Sequence, residues 1–402
     1  MNVNTDPQLS SSSPVTAGTA SFGIVLALSA GHFLNDTMQS MISAIYPMIK
    51  ENYGLTFAQI GFLGFAFQVT ASILQPVVGI YTDKRPVGYS LPIGMGFTLI
   101  GLLLLASAGH YWLLVAAACM VGLGSSIFHP ESSRIARLAS GGRHGTAQSV
   151  FQLGGNFGAA VGPLLAAFIV VPMGQASVAW FALAALVGIV ILTWVSRWYG
   201  EWRRAAASRP KPGPVPLRDR KQVRAALAVL ILLIFSKFVY TSSLSNYYTF
   251  FVIDKFGLGI QQAQLMLFLY LGAVAFGTLI GGPIGDRIGA RTVIWVSILG
   301  ILPFTLILPY ANLFWTAVLS VIIGTTLASA FPAIIVFAQE LVPGRVGAVA
   351  GLFFGFAFGM GGIAAAVLGQ VADIWGIGTV YHICSFLPVI GLGAVLLPKN
   401  VR

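Results

Sequence analysis

Long apolar stretches separated by short polar segments run along the chain from Phe22 to Leu397. Most are about 20 residues long, the length that an α-helix needs to cross a bilayer. A membrane-spanning strand needs only about ten residues and alternates polar with apolar positions, so the pattern excludes a barrel. It predicts an all-α integral membrane protein with twelve transmembrane helices. The predicted spans are residues 22–49, 57–81, 90–108, 112–138, 145–171, 176–198, 225–253, 262–282, 292–309, 313–341, 347–371 and 376–397.

Two stretches are too polar to enter lipid. Residues 1–20 are rich in Ser, Thr and Pro and contain no Lys or Arg, so they lack the basic region of a signal peptide. We interpret them as a disordered cytoplasmic tail. Residues 199–224 are rich in Arg, Lys and Pro and predict a cytoplasmic linker. The linker separates two six-helix halves, residues 21–198 and 225–402.

The composition agrees with a membrane protein. Of 402 residues, 57% are hydrophobic and 8% are charged, against roughly a quarter charged in a soluble domain. The net charge of +11 does not indicate nucleic acid binding, because Lys and Arg are concentrated in short loops. That bias places both termini in the cytoplasm. The cytoplasmic residues are then Lys84, Arg85, Arg137, Arg143, Arg287, Arg291 and Arg345 with the linker, and the outer ones are Lys50 and Lys255.

The two halves contain an internal repeat. Gly79 aligns with Gly282, and Asp83 aligns with Asp286, at an offset of about 203 residues. Two six-helix halves in parallel repeat are one plan of membrane transporters, in which the substrate binds between the halves near the bilayer midplane. The repeat therefore favours a transporter.

Each half carries a Gly-x-x-x-Asp motif in a cytoplasmic loop, followed by basic residues. Glycine permits close helix approach, and the acid can accept from a helix N-terminus or pair with Arg, so the motif predicts a conformational latch. A charge cluster that only stops membrane insertion is the alternative. The first copy departs after its acid, with Pro86 and Gly88. The predicted latch residues are Gly79, Asp83, Lys84, Arg85, Gly282, Asp286, Arg287 and Arg291.

Ionisable residues interrupt the first and fourth spans. His32, Asp36 and Gln39 recur at helical spacing, and Asp36 lies near the predicted midplane. In the fourth span, His129 and Glu131 flank a proline before Arg134. A charge at this depth costs several kcal/mol unless it faces protein or water.

The fifth and seventh spans carry further polar residues. Gln152 and Asn156 lie on one face, while Lys237 lies at the centre of its span with Tyr240 one turn later. We interpret all these groups as lining one common cavity, with aromatic residues such as Phe331 on the other side. The residues assigned to proton coupling are Asp36, Glu131, His32 and His129. Those assigned to substrate binding are Lys237, Arg134, Asn35, Gln39, Gln152, Asn156, Tyr240 and Phe331.

Structural roles are the alternatives for these groups. Asp36 and Glu131 could form a salt bridge with Lys237 or Arg134, because buried charges must pair whether or not they titrate. The histidines could be structural hydrogen-bonding residues, and the phenylalanines could be core. A metal site built from His129 and Glu131 is not predicted, because no cluster of Cys or His accompanies them in the sequence.

The fifth span also carries Gly154, Gly158, Gly162 and Pro163. Glycines at this spacing leave a flat helix face for close packing. The run resembles the fifth-helix signature of drug/proton antiporters, although Leu164 and Leu165 replace part of that signature. The resemblance favours antiport over symport.

The loop motifs resemble those of the major facilitator superfamily. Within it, GHFLND at 31–36, SSIFHPESSR at 125–134 and GGRHGTAQSVFQLGGNFG at 141–158 are similar to the fosmidomycin-resistance transporters. The resemblance implies a proton-driven drug exporter of the bacterial inner membrane, whose substrate is a phosphonate antibiotic. It implies a monomer with no cofactor, driven by the proton gradient.

Two other classes of function compete with this one. An importer or exchanger of organic phosphates or other organic anions also suits Lys237 and Arg134, and the direction of flux would decide between them. An enzyme should show a nucleophile, metal or phosphate-binding motif, and H-E-x-x-H, G-x-S-x-G and P-loop motifs are absent from the sequence. A receptor should carry a signalling domain, and the linker is the only sizeable soluble segment.

Overall fold

The computed structural model describes residues 20–208 and 219–398. Most of the predicted tail and the middle of the predicted linker lie outside the described residues. The described chain forms twelve long helical segments, which match the twelve predicted spans in order. They are α1 Phe22–Ala44, α2 Phe57–Lys84, α3 Ser90–Ala106, α4 Tyr111–Ala139, α5 His144–Met173, α6 Gln175–Ala207, α7 Arg220–Phe256, α8 Ile260–Ile288, α9 Ala290–Tyr310, α10 Leu313–Leu341, α11 Val346–Trp375 and α12 Ile377–Leu396.

The helices on either side of the predicted linker are longer than expected. Segment α6 continues to Ala207, and α7 begins at Arg220, so both helices enter the range 199–224. Residues such as Glu201 and Arg203 are good helix formers, and charge alone does not end a helix beyond the membrane. Arg203 also donates to the carbonyl of Pro86 at 2.9 Å, which ties the extension to the α2–α3 loop.

Ten of the described segments are long and apolar enough to cross a membrane by length and composition. The other two are α3, an apolar helix of 17 residues, and α1. Segment α1 falls short because His32, Asn35 and Asp36 lower its mean hydropathy. Large apolar side chains remain exposed around the bundle, which is the surface expected against lipid.

The two halves have related internal packing and meet along two helix pairs. In the first half α1 packs on α5, and α4 packs on α2 and α3. In the second, α7 packs on α11 and α12, and α8 packs on α10. The halves contact each other where α2 meets α11 and where α5 meets α8. In the repeat α2 is equivalent to α8, and α5 is equivalent to α11. The two contacts between the halves are therefore equivalent to each other, as a parallel repeat predicts.

Glycines of α5 allow its close contact with α1. A Cβ atom at Gly154 or Gly158 would overlap the carbonyl oxygen of Ser29 or Phe33, and one at Gly162 would overlap the Ser40 hydroxyl. The α1 backbone therefore lies directly on the flat face of α5. Pro163 follows this face, and the helix passes through a π-helical turn at Ala166–Val170.

Candidate functional site

Asp36 of α1 lies between two histidines. His32 Nε2 is 3.2 Å from Asp36 Oδ2, and His129 Nε2, on α4, is 3.6 Å from Asp36 Oδ1. His32 is 2% exposed and His129 is 0% exposed, whereas the Asp36 side chain keeps 16% of its surface accessible. We call these three residues the His–Asp–His cluster. The two histidines are therefore sealed in protein, and Asp36 is the one member of the cluster with accessible surface.

The other ring nitrogens of both histidines contact backbone carbonyls. His32 Nδ1 donates to the Phe151 carbonyl at 2.8 Å, and His129 Nδ1 donates to the Ser125 carbonyl at 3.0 Å. A carbonyl oxygen only accepts, so each Nδ1 carries a hydrogen. Each Nε2 therefore presents Asp36 with a lone pair when the ring is neutral and with an N–H when it is protonated.

Amides of α1 complete the surroundings of Asp36. Asn35 Nδ2 donates to Asp36 Oδ1 at 3.0 Å, and Gln39 Nε2 approaches the same oxygen at 3.4 Å. Both residues were predicted to bind substrate, and the structure places them beside the acid. Sequence reasoning missed Gly155, where a Cβ would overlap the His32 ring. Two adjacent glycines at 154 and 155 were the sequence signal that a bulky group packs closely against this part of α5.

Aromatic rings of α11 cover the cluster from the second half. The His129 ring lies 5.4 Å from the Phe354 ring and 5.0 Å from the Phe358 ring. His32 stacks on Phe151 at 4.2 Å. The cluster therefore lies at the interface between the halves, in an environment of low dielectric constant where a charge needs a partner.

Lys237 of α7 lies on the other side of these rings. Its ammonium is 4.4 Å from the centre of the Phe238 ring and 5.2 Å from that of Phe331, and the residue is 8% exposed. Among the described residues, no hydrogen-bond acceptor or acid pairs with it. Phe331 contacts Phe354 at 5.1 Å, so rings connect Lys237 to His129. The salt bridge from Lys237 to Asp36 or Glu131, considered from sequence, is not formed in this conformation.

Glu131 and Arg134 are paired with each other instead. Arg134 Nη2 donates to Glu131 Oε2 at 2.6 Å, and the Ser90 hydroxyl donates to the same oxygen at 2.8 Å. Arg134 Nη1 donates to the carbonyl of Thr82 at 2.9 Å, and the guanidinium lies 5.3 Å from the centre of the Tyr199 ring. Both residues are buried, at 0% and 7% exposure.

The predicted common cavity is therefore wrong for Glu131 and Arg134 in this conformation. His129 and Glu131 are two residues apart, which is a rotation of about 200° around a helix, so they point in nearly opposite directions. His129 faces α1 and α11, whereas Glu131 faces the start of α3. The structure contains the salt bridge between Glu131 and Arg134 that was the alternative considered from the sequence.

The remaining predicted substrate residues do not line one site: Gln152 and Asn156 share a face of α5, and Tyr240 lies in the second half. Asn156 Nδ2 donates to Thr278 Oγ1 at 3.1 Å and so joins α5 to α8. Gln152 is half-buried, and its Oε1 atom has no hydrogen-bond partner among the described residues. Tyr240 is buried in the apolar cluster of the second half, beside Tyr248 and Tyr270, and does not face a cavity here.

Both predicted latch acids cap a helix of the opposite half. Asp83 accepts from the Gly347 and Ala348 amides at 2.9 and 2.7 Å. Asp286 accepts from the Gly145 amide at 2.8 Å and from the Thr146 amide and hydroxyl at 2.8 and 2.7 Å. A carboxylate at a helix N-terminus satisfies free amides and opposes the positive end of the helix dipole.

Glycines bring the two backbones together beside each acid. A Cβ at Gly79 would overlap the carbonyl of Gly347, and one at Gly282 would overlap that of Gly145. Lys84, Arg85 and Arg287 are exposed and take no part in these contacts. Arg291 Nη2 donates to the Val395 carbonyl at 3.3 Å. The acids and glycines of the motif therefore form the contacts between the halves at which a latch was predicted, and Lys84, Arg85 and Arg287 do not.

A buried polar layer, which the sequence did not predict, lies behind the latch. The Ser133 hydroxyl donates to Gln148 Oε1 at 3.0 Å and accepts from Gln339 Nε2 at 3.2 Å. Arg137 Nη1 donates to Gln339 Oε1 at 3.4 Å. Helices α4, α5 and α10 are thereby joined. We call this end of the bundle, which contains residues 85–89, 140–143, 289 and 342–345, the terminal face.

Away from the terminal face, α2 and α11 separate. A cleft of about 860 Å³ lies between them, with Gly61 and Gly64 at one end and Pro76 at the other. Gln68 and Ser72 are polar groups in its largely apolar wall. The halves are therefore joined at the terminal face and parted towards the opposite end.

Comparisons with known proteins agree with this architecture. Residues 28–366 and 234–402 match the model of the Major Facilitator Superfamily. The chain is 57% identical over 400 residues to the fosmidomycin resistance protein of Escherichia coli (strain K12), covering 100% of this chain and 98% of that one. It is 41% identical over 388 residues to the uncharacterized MFS-type transporter YfnC of Bacillus subtilis (strain 168), covering 96% and 95%.

Solved structures share the fold at low sequence identity. The transporter FucP in the outward conformation aligns with a TM-score of 0.72 at 16% identity, covering 96% of this chain and 100% of that one. The human organic anion transporter MFSD10 aligns with a TM-score of 0.72 at 18% identity, covering 93% and 99%.

Proposed function

Because this chain belongs to the Major Facilitator Superfamily, and within it to the fosmidomycin resistance family, we propose that it exports phosphonate drugs in exchange for protons. That it is a membrane-spanning transporter and not an enzyme follows from the family and the fold. The similarity to the fosmidomycin resistance protein of Escherichia coli supports fosmidomycin or a related phosphonate as the substrate. The exchange for protons and the direction of transport are our proposal.

The position of Asp36 between His32 and His129 carries this proposal. With both rings neutral the His–Asp–His cluster bears one negative charge, and one proton makes it neutral. Burying an unpaired charge costs several kcal/mol, so the protonation state changes which conformations are accessible. The exposed part of Asp36 provides a route for the proton from the open side.

We place the drug anion at Lys237. An ammonium held between Phe238 and Phe331, with no acceptor among the described residues, is a point charge available to a phosphonate. Rings contact both this site and the cluster, because Phe354 touches Phe331 on one side and His129 on the other. We propose that the drug and the proton bind in alternation at this interface. Together, Phe331 and Phe354 pack against both sites, so a displacement of these rings by a ligand at one site would change their packing at the other.

We also propose an orientation. Most Lys and Arg residues that lie in loops belong to the loops of the terminal face. This charge bias favours an orientation in which the terminal face is cytoplasmic and the bilayer is a bacterial inner membrane. In that orientation the latches close the cytoplasmic side, and the cleft between α2 and α11 opens outwards. Alternating access then requires both latches to open.

An exchanger or importer of organic anions is the second candidate. The unpaired ammonium of Lys237 favours it as much as it favours phosphonate export. The two differ in the direction of net flux. An exporter should move labelled phosphonate against its gradient when protons flow the other way, whereas an anion exchanger should need a second anion on the opposite side.

Transport by purified protein in proteoliposomes tests the proposal. Asp36→Asn should abolish uptake of labelled fosmidomycin driven by a pH gradient, because the neutral amide cannot bind and release a proton. It should leave exchange of labelled for unlabelled drug measurable. Asp373→Asn is the matched control, since Asp373 is an exposed acid near the end of α11. Normal gradient-driven transport by Asp36→Asn would show that the acid does not couple protons.

A further inference from the structure

Three ligand atoms converge at the His–Asp–His cluster. His32 Nε2, His129 Nε2 and the Asp36 carboxylate all lie within 4.8 Å of one another. In a tetrahedral site with bonds of about 2.1 Å, neighbouring ligand atoms are separated by about 3.4 Å. The distances of 3.2 and 3.6 Å from Asp36 to the two rings are close to that value. These two distances join the rings to different carboxylate oxygens, so small shifts of all three side chains would bring one ligand atom of each into contact with one ion.

The outer contacts of both histidines are those of metal ligands. A metal-binding histidine donates its other ring N–H to a carbonyl or carboxylate, which fixes the tautomer and the ring orientation. His32 donates to the Phe151 carbonyl and His129 to the Ser125 carbonyl. Both rings are therefore held with Nε2 directed at Asp36.

The two Nε2 atoms are also buried without a hydrogen bond. Neither has a partner with hydrogen-bond geometry among the described residues, and their residues are 98% or more buried. Two lone pairs and a carboxylate facing one point repel each other unless a cation lies between them. A proton is one such cation, and a divalent metal ion is the other.

We propose that His32, Asp36 and His129 form a binding site for a divalent transition-metal ion such as Zn²⁺. Two imidazoles with one carboxylate suit Zn²⁺ and its neighbours in the first transition row, whereas Mg²⁺ and Ca²⁺ prefer oxygen ligands alone. The exposed side of Asp36 leaves a coordination position for water. The sequence argument against a metal site at His129 and Glu131 was that no cluster of Cys or His accompanies them, and the fold places His32 and Asp36 beside His129.

The ion would inhibit transport. Bound at the cluster, it would join α1 to α4 beneath the rings of α11 and so oppose movement of these helices during transport. This second part rests on the proposed function, whereas metal binding itself does not.

Calorimetric titration of the detergent-purified protein with Zn²⁺ tests the site. We expect one Zn²⁺ per chain, and no saturable binding of Mg²⁺ under the same conditions. His129→Gln and His32→Gln should each weaken Zn²⁺ binding by more than tenfold. His382→Gln is the control and should bind as the parent does, because His382 is exposed and contacts the Gly378 carbonyl of its own helix.

Co²⁺ supplies a readout that does not depend on affinity. Bound at the cluster, it should show the visible absorption of four-coordinate cobalt, and His129→Cys should add a thiolate-to-cobalt band. That variant retains a metal ligand, so it tests the site even if His129→Gln does not fold. Absence of saturable Zn²⁺ binding, or binding unchanged in the folded cluster variants, would overturn the proposal. Zn²⁺ that binds the cluster without slowing proton-driven transport would retain the site and refute the proposed inhibition.

Discussion

The two halves close in the same way but carry different groups at their centres. Asp83 and Asp286 each cap the N-terminus of a helix in the opposite half, at matching positions of the repeat. Between the latches, the first half contributes the partly buried Asp36 with two buried histidines, and the second contributes Lys237 and phenylalanines. Each latch aspartate accepts from backbone amides, which any residue can supply. The contact therefore requires only the aspartate and the glycine at particular positions of the sequence. The centre works through side chains, so each half can differ there without loss of the fold.

The two centres meet at one ring. His129 of α4 and Phe331 of α10 are equivalent positions of the repeat, and both contact Phe354 at 5.4 and 5.1 Å. The titratable ring of His129 in the first half and the apolar ring of Phe331 in the second half therefore both pack against Phe354. This asymmetry is what allows a proton on one half and a substrate on the other to influence the same contact.

The largest expected effect concerns helix packing, which differs between the α1–α5 pair and its equivalent in the second half, the α7–α11 pair. A Cβ at Gly158 would overlap the Phe33 carbonyl, whereas one at Gly362 of α11 has no atom within 4 Å. Gly158→Val should force α1 from α5 and destabilise the protein by about 3 kcal/mol. Gly362→Val should leave the thermal unfolding temperature in detergent unchanged. Equal shifts in the two variants would contradict tight glycine packing as a feature of the α1–α5 pair.

The second effect concerns the latch. Asp286→Ala removes three hydrogen bonds to a carboxylate, and we expect it to weaken closure of the terminal face by about 2–3 kcal/mol. A cysteine introduced by Ser133→Cys, in a Cys119→Ser Cys384→Ser background, should then react faster with a thiol reagent. Ser133 is 0% exposed behind the latch, so its reactivity reports opening.

The dissociation constant of the substrate supplies the control for this variant. The latch lies at the terminal face, away from Lys237, so Asp286→Ala should change the transport rate more than the substrate affinity. A large loss of affinity with unchanged cysteine reactivity would make Asp286 a substrate ligand instead.

Much of the fold was predictable, because bilayer length and loop charge act locally along the chain. The helices occur in the predicted order, and the glycines and acids of the loop motif lie at the contacts between halves. The ends of α6 and α7 were not predictable in the same way. Charged and alanine residues beyond the membrane are compatible with both helix and linker, and contacts such as Arg203 to Pro86 favour helix.

The sequence indicated which residues to consider for the site, but not which of them lie together. Depth singled out His32, Asp36 and His129, because an ionisable group in an apolar span is costly without a partner, and the structure brings these three side chains together. Rotation around α4 separated Glu131 from His129, and the position of Ser90 gave Glu131 a partner on another helix. Such tertiary contacts leave no periodic signal in one sequence.

The third effect concerns Lys237, the cation that the first half lacks. Lys237→Met should weaken binding of anionic substrates by more than tenfold, which is about 1.4 kcal/mol, and should spare any neutral substrate. The methionine keeps the contacts with Phe238 and Phe331 and removes only the charge. Binding is measured by titration with fosmidomycin and with a neutral ester of it. Equal loss for both ligands would reduce Lys237 to a structural role.

The smallest expected effect concerns the one difference between the two latches. Asp286 accepts a third hydrogen bond from the Thr146 hydroxyl at 2.7 Å, whereas Ala348 stands at the position next to Gly347 and has no hydroxyl for Asp83. Thr146→Val keeps the side-chain shape and removes that bond, so it should loosen the second latch by about 1 kcal/mol. Ala348→Thr should tighten the first latch by a similar amount. Reactivity of the cysteine at position 133 should therefore rise several-fold in Thr146→Val and fall in Ala348→Thr, and the double variant should return near the parent. If either single change altered substrate affinity in place of reactivity, the two acids would not be acting as equivalent latches.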